Sequence, residues 1–149
     1  MDSLMADLSH READRRTERA LVAYVRQELS APATAVMGYA EILMDDAVKA
    51  DCAKRTDDLQ RILDASRTLH GLILSLLDPA TVHRIDGSEG LAEFHRTLRH
   101  DLRTPINAIK GYGEMLREDA ADRSAERFAA DLDKLLKEAN LLLHRSMVW

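Results

Sequence analysis

The chain has 149 residues, 46% hydrophobic and 32% charged, with a formal net charge of −5 at pH 7. That suffices for one modest domain or two small repeats sharing a core, and the mixed-sign acidic balance leaves no basic footprint for nucleic acid or an anionic membrane. The apolar runs fall far short of the roughly 18 residues of a membrane span, the first residues do not form a signal peptide, and the single cysteine, Cys52, excludes an internal disulfide framework and suits a reducing cytoplasm.

Gly, Pro and aromatic residues are scarce while Ala, Leu, Arg and Asp abound, which points to an all-α class. Residues 1–19 are polar and carry Asp7/Arg11 and Glu12/Arg16 at i,i+4 spacing, which supports an exposed helix leading into the first long one. Arg11, Arg15, Arg16 and Arg19 are interleaved with Glu12, Asp14 and Glu18, so they form a solvated face rather than a basic patch. From Ala20 to about Val48 the helical spacing continues through Leu21, Val25, Leu29, Val36, Tyr39 and Leu43. Asp51 to Asp57 supplies a turn and a helix start. The second helix has Leu59, Ile62, Leu63, Ser66, Leu69, Ile73 and Leu76 in steps of three and four, and Asp78-Pro79 stops it. Residues 78–88, with Pro79, Gly87 and Ser88, have no sustained period and read as a linker. A third helix is predicted from Glu89 to Ala120, a turn from Ala121 to Ser124, and a fourth helix through Leu132, Leu135, Leu136, Ala139, Leu142, Leu143 and Met147.

The third helix carries the chemistry. Leu91, Phe94, Leu98, Leu102, Ile106 (or Pro105), Ile109, Gly113 (or Tyr112) and Leu116 form the seam of a packed helix. At about 100° per residue, His100, Arg103, Thr104, Asn107 and Gly111 line an exposed face, with Asp101 at its edge. A free imidazole titrates near pH ~6.5, so it is substantially neutral at pH 7 and a ring nitrogen can attack phosphorus without a strong base. An adjacent carboxylate can accept its proton or fix its tautomer. Pro105 lacks an N–H and predicts a bend just past the histidine.

The run His100-Asp101-Leu102-Arg103-Thr104-Pro105, followed by Ile106, Ile109, Gly111-Tyr112 and Glu114-Met115-Leu116, resembles the phosphoacceptor box in the dimerisation and phosphoacceptor domain of sensor histidine kinases. The resemblance implies that His100 carries a phosphoryl group, that Asp101 orients or deprotonates it, and that Thr104 helps to position water for the hydrolytic reaction. Arg103, Asn107, Lys110 and Gly111 would then dock a partner, Gly111 because its small size allows close approach.

The chain also repeats itself. Residues 25–43 lie over residues 98–116 with one constant offset of 73 (27 to 100), keeping Arg, Leu, Pro, Ala, Gly, Tyr, Glu and the final Leu in register. The same offset lays Asp58-Leu59 over Asp131-Leu132 and Ile62-Leu63 over Leu135-Leu136. Gln27 stands where His100 stands, and an amide is no nucleophile. Glu28 keeps the acid, but Ala31 replaces Thr104. The first copy reads as chemically dead while keeping Pro32, Gly38 and Tyr39, which shape the helix. Its face of Gln27, Ser30, Thr34 and Gly38 would dock a receiver weakly or serve another partner.

A lone two-helix hairpin leaves its apolar stripe in water, and pairing covers it. The predicted architecture is therefore an antiparallel four-helix bundle made of two tandem hairpins, an intramolecular pseudo-dimer: 1–78 as the degenerate hairpin, 79–88 as linker and 89–149 as the phosphoacceptor hairpin. The resemblance implies a phosphotransfer module of two-component signalling, in the cytoplasm, that passes a phosphoryl group from His100 to the Asp of a response-regulator receiver domain. No Walker-type run or ATP-binding domain follows the hairpin, so ATP and Mg²⁺ are expected on the partners and on a kinase domain supplied in cis or in trans, and no cofactor in this chain. The other class of function is a helical stalk linking a sensor to an output domain, with His100 a relic. The scattered histidines lack the i,i+4 or Glu-x-x-His spacing of helical metal sites. Cys52 reads as an incidental thiol and Met37, Met44, Met115 and Met147 as gap-filling or partly exposed residues.

Overall fold

The computed structural model describes residues 2–78, 80, 87–120 and 126–148. These residues form four long helices and no strand: α1 (Asp2–Lys49), α2 (Ala53–Leu76), α3 (Gly87–Asp119) and α4 (Glu126–Val148). The leading polar segment is not separate from the first helix; α1 is continuous over 48 residues. Pro32 and Pro105 lie inside α1 and α3, buried on their seams, and both helices run on past them.

The α1–α2 corner shows how the chain reverses. Asp51 takes φ 51°, the left-handed region. That lets the Cys52 N–H donate to the Ala47 carbonyl (3.2 Å) and the Asp51 N–H to the Val48 carbonyl (3.1 Å), the paired bonds that satisfy the last carbonyls of a helix. Residues 50–52 thus make the turn at the start of the predicted stretch, and α2 begins at Ala53. The third helix starts at Gly87, two residues earlier than expected. Most of the predicted linker, and the predicted turn at Ala121 to Ser124, lie outside the described residues.

The helices stand at the corners of a four-helix bundle. α1 packs on α2 and α4, and α3 packs on the same two, while α1 and α3 meet only slightly across the diagonal. One continuous core fills the centre. Its fully buried members include Leu29, Leu43, Leu59 and Ile62 from the first two helices and Leu102, Ile106, Ile109 and Leu132 from the last two. Burial follows the 73-residue offset: Val25, Leu29, Val36 and Leu43 are buried, and so are Leu98, Leu102, Ile109 and Leu116. Two residues of the expected apolar pattern are corrected. Met147 in α4 is 56% exposed, with Ser146 buried beside it. Leu21 is 37% exposed, and Val22 is buried in its place, because Val22, three residues before Val25 and seven before Leu29, continues the seven-residue repeat of the buried stripe.

Polar contacts tie the two hairpins together at the rim. Arg61 on α2 donates to the Tyr112 hydroxyl on α3 (3.0 Å) with its guanidinium over the ring. Lys54 pairs with Asp119 (3.0 Å). Arg145 on α4 donates to the Glu28 backbone carbonyl on α1 (2.7 Å) and lies 3.4 Å from its carboxylate. These pairs fix α2 antiparallel to α3, with low numbers on one helix opposite high numbers on the other. No helix among the described residues is long and apolar enough to cross a membrane.

Candidate functional site

The packing of α3 decides what its other face offers. Leu98, Leu102, Ile106 and Ile109 are essentially inaccessible, so the helix is locked in rotation and the residues one or two positions after each of them turn away from the core. His100 is the clearest case, with its side chain 86% exposed. Arg103, Thr104, Asn107 and Gly111 are exposed as expected, Lys110 is half-buried, and Asp101 sits at the margin, its side chain 39% exposed. All the residues expected to act therefore lie on or beside one strip of α3. Gly111 has open space where a side chain would stand.

His100 Nδ1 lies 3.3 Å from Asp101 Oδ1, at the long end of hydrogen-bond distance and open to water. With a carboxylate there, Nδ1 is the nitrogen that carries hydrogen and donates it, which leaves the lone pair on Nε2. An exposed imidazole nitrogen with its tautomer set by a neighbouring acid is what attack on an external phosphorus requires.

The structure adds residues that the sequence reading passed over. Arg96, Arg99 and Arg103 line a shallow depression beside His100, closed on one side by Met147 of α4. Their signal in the sequence is the i−4, i−1 and i+3 spacing around the histidine, which puts all three on its side of the helix. His95 is half-buried nearby, and burial, reinforced by the charge of Arg99, pushes its imidazole below the usual value of 6.5. Its Nε2 is buried with no hydrogen-bond partner among the described residues.

On the first hairpin, Gln27 is exposed like His100. Thr34 is also exposed, Gly38 is half-buried, and the Ser30 hydroxyl is turned back onto the Arg26 carbonyl (2.6 Å). Cys52 is half-buried at the α1–α2 corner. Among the described residues, no group of three or more His, Cys, Asp or Glu side chains is placed to hold a metal.

Residues 91–145 match the His Kinase A (phospho-acceptor) domain. The match begins in α3 at Leu91, contains the whole His100 strip and ends at Arg145 in α4. A relative, the sensor histidine kinase TrcS of Mycobacterium tuberculosis, is 37% identical over 67 residues, which is 45% of this chain. The chain spans 13% of that relative's length. No solved structure matches the chain. The segment that carries the His100 strip is thus similar to the phospho-acceptor domain of histidine kinases.

Proposed function

We propose that this chain is a phosphoacceptor and phosphotransfer module of two-component signalling in which His100 receives a phosphoryl group and passes it to a receiver-domain Asp. The observation that carries the reading is the exposed His100 imidazole with Asp101 at Nδ1, inside the segment that matches the phospho-acceptor domain. Nε2 attacks phosphorus while Asp101 holds the Nδ1 hydrogen and takes up the positive charge that develops on the ring. Thr104, one turn further along the strip, serves the reverse or hydrolytic reaction by positioning water. Arg103, Asn107, Lys110 and Gly111 meet the partner. ATP and Mg²⁺ belong to a kinase domain acting in cis or in trans and to the receiver, a division suited to phosphoryl transfer, where positioning and charge stabilisation do most of the work. The first hairpin, with Gln27 in place of His100, completes the bundle without carrying phosphate, and this setting is that of the cytoplasm.

Supplied with a competent kinase or a phosphorylated receiver, the chain should take up one acid-labile phosphoryl group per molecule, and His100→Gln should abolish it. Asp101→Asn should slow transfer and leave the circular dichroism melt unchanged. Gln27→His should not create a second site of equal activity, because Ser30 and Ala31 also depart from the working pattern. Label persisting in the His100→Gln protein, or no uptake by the wild type from any cognate kinase or receiver, would leave a helical signalling stalk as the better account.

A further inference from the structure

We infer that Arg96 and Arg99, together with Arg103, form an anion cradle that holds the phosphoryl group on His100. The inference rests on the reading of His100 as phosphoacceptor and assigns two arginines to that site. Relative to Arg96, the directions of Arg99, His100 and Arg103 around the helix axis fall within an arc of about 100° over two turns, and the four residues line one depression. All three arginines are exposed. Among the described residues, none of them has a carboxylate within ion-pair distance; the carboxylate nearest the histidine, Asp101, is engaged with the ring. Three cations at i,i+3 and i,i+4 spacing repel one another, and they gather here on a chain whose net charge is negative. Among the described residues no carboxylate neutralises them.

The degenerate hairpin supplies the internal control. The depression beside Gln27 is lined by Arg19, Val22, Ala23, Arg26, Ser30 and Leu77. At the 73-residue offset, Ala23 stands for Arg96, Arg26 for Arg99 and Ser30 for Arg103. Two of the three arginines vanish along with the histidine, and the depression becomes mainly apolar. The chemistry that fits three exposed guanidiniums around an imidazole nitrogen is a tetrahedral, doubly charged phosphoryl group, whose oxygens accept the paired N–H donors of Arg.

The test uses the whole chain and potassium phosphoramidate, a donor that needs no partner protein. The Nε2 lone pair forms the new N–P bond, the bond from phosphorus to ammonia breaks, ammonia leaves, and the surplus ring proton goes to Asp101 or to water. Phosphorus NMR then follows uptake at His100 and the pH titration of the phosphoryl oxygens. In the Arg96→Ala/Arg99→Ala protein, uptake should be slower by roughly tenfold. The phosphoryl titration should move to higher pH, since fewer cations favour the dianion. Arg96→Lys/Arg99→Lys should recover part of both, keeping charge but losing the planar fork. In parallel, inorganic phosphate added to the unlabelled wild type and to His100→Gln should shift the Nε resonances of Arg96 and Arg99 in both proteins. If the double-alanine protein labels and titrates like the wild type, and phosphate shifts neither arginine, the cradle is overturned while His100 stands as acceptor. If phosphate shifts both arginines but His100 never takes label, the acceptor reading is the one that fails and the anion site remains.

Discussion

His95 and His100 sit on the same helix five residues apart and show how burial sorts identical side chains. The His100 ring is in water, next to an acid, and free to react. His95 is half-buried, its Nε2 without a partner among the described residues, beside a cation that opposes its protonation. Its lowered value in the folded chain means that the unfolded chain takes up the proton first as pH falls. Full stability is therefore present above the unfolded value near 6.5, declines as pH drops below it, and levels off once the folded imidazole also protonates. Urea midpoints at pH 7.5 and 5.5 should show this acid loss in the wild type and a smaller loss in His95→Leu. An equal loss in the two would mean that His95 is not the group responsible.

At the scale of the element, α3 is where reading the sequence came closest to the structure. Leu102→Asp places an unpaired carboxylate at a position with no accessible surface, at a cost of roughly 3–5 kcal/mol, a large part of the ~5–15 kcal/mol that holds a typical domain. It should open the bundle, whereas His100→Gln, on the exposed strip, should change stability by no more than about 0.5 kcal/mol. Thermal melts monitored by circular dichroism give the order directly. The seam from Leu98 to Leu116 and the exposed strip were legible because apolar spacing encodes the buried face of a helix. Leu21 was misplaced because, near the end of the packed stretch, Leu21 and Val22 fit the local spacing almost equally well, and only contact with the other helices chooses between them. The pairs Arg61–Tyr112 and Glu28–Arg145 were not legible at all, since they depend on how one helix slides against another. So does Gly113, where an added Cβ would come within 2.7 Å of the Leu136 side chain. The arginines at 96 and 99 were in plain view, but only the depression they line with His100 singles them out. The α1–α2 corner gives a second test of an element. Asp51 holds a left-handed conformation that glycine adopts without a Cβ clash. Asp51→Gly should therefore stabilise the chain by about 1 kcal/mol, read as a rise of roughly 2–4 °C in the melting midpoint.

For the whole molecule, the bundle is completed within one chain: each helix has two neighbours, and the core is continuous across both hairpins. A second copy is not needed to cover the seams of α1 or α3. The purified chain should be mainly monomeric, and light scattering at micromolar concentration should return the mass of one chain, 16.8 kDa. A tight dimer would mean that the hairpins pair between chains instead.

The unequal lengths of the helices bear on how that mass must be measured. α1 has 48 residues against 23 in α4, about 72 Å against about 35 Å at 1.5 Å per residue, and nearly all of residues 2–21 are exposed. A compact barrel with a rod on one corner drags more solvent than a sphere of equal mass, so the monomer should elute early from a gel-filtration column and pass for a dimer on a calibration made with globular standards. Its sedimentation coefficient should be correspondingly low. Removing residues 2–19 should bring the frictional ratio back towards that of a compact particle while leaving the light-scattering mass that of one shortened chain.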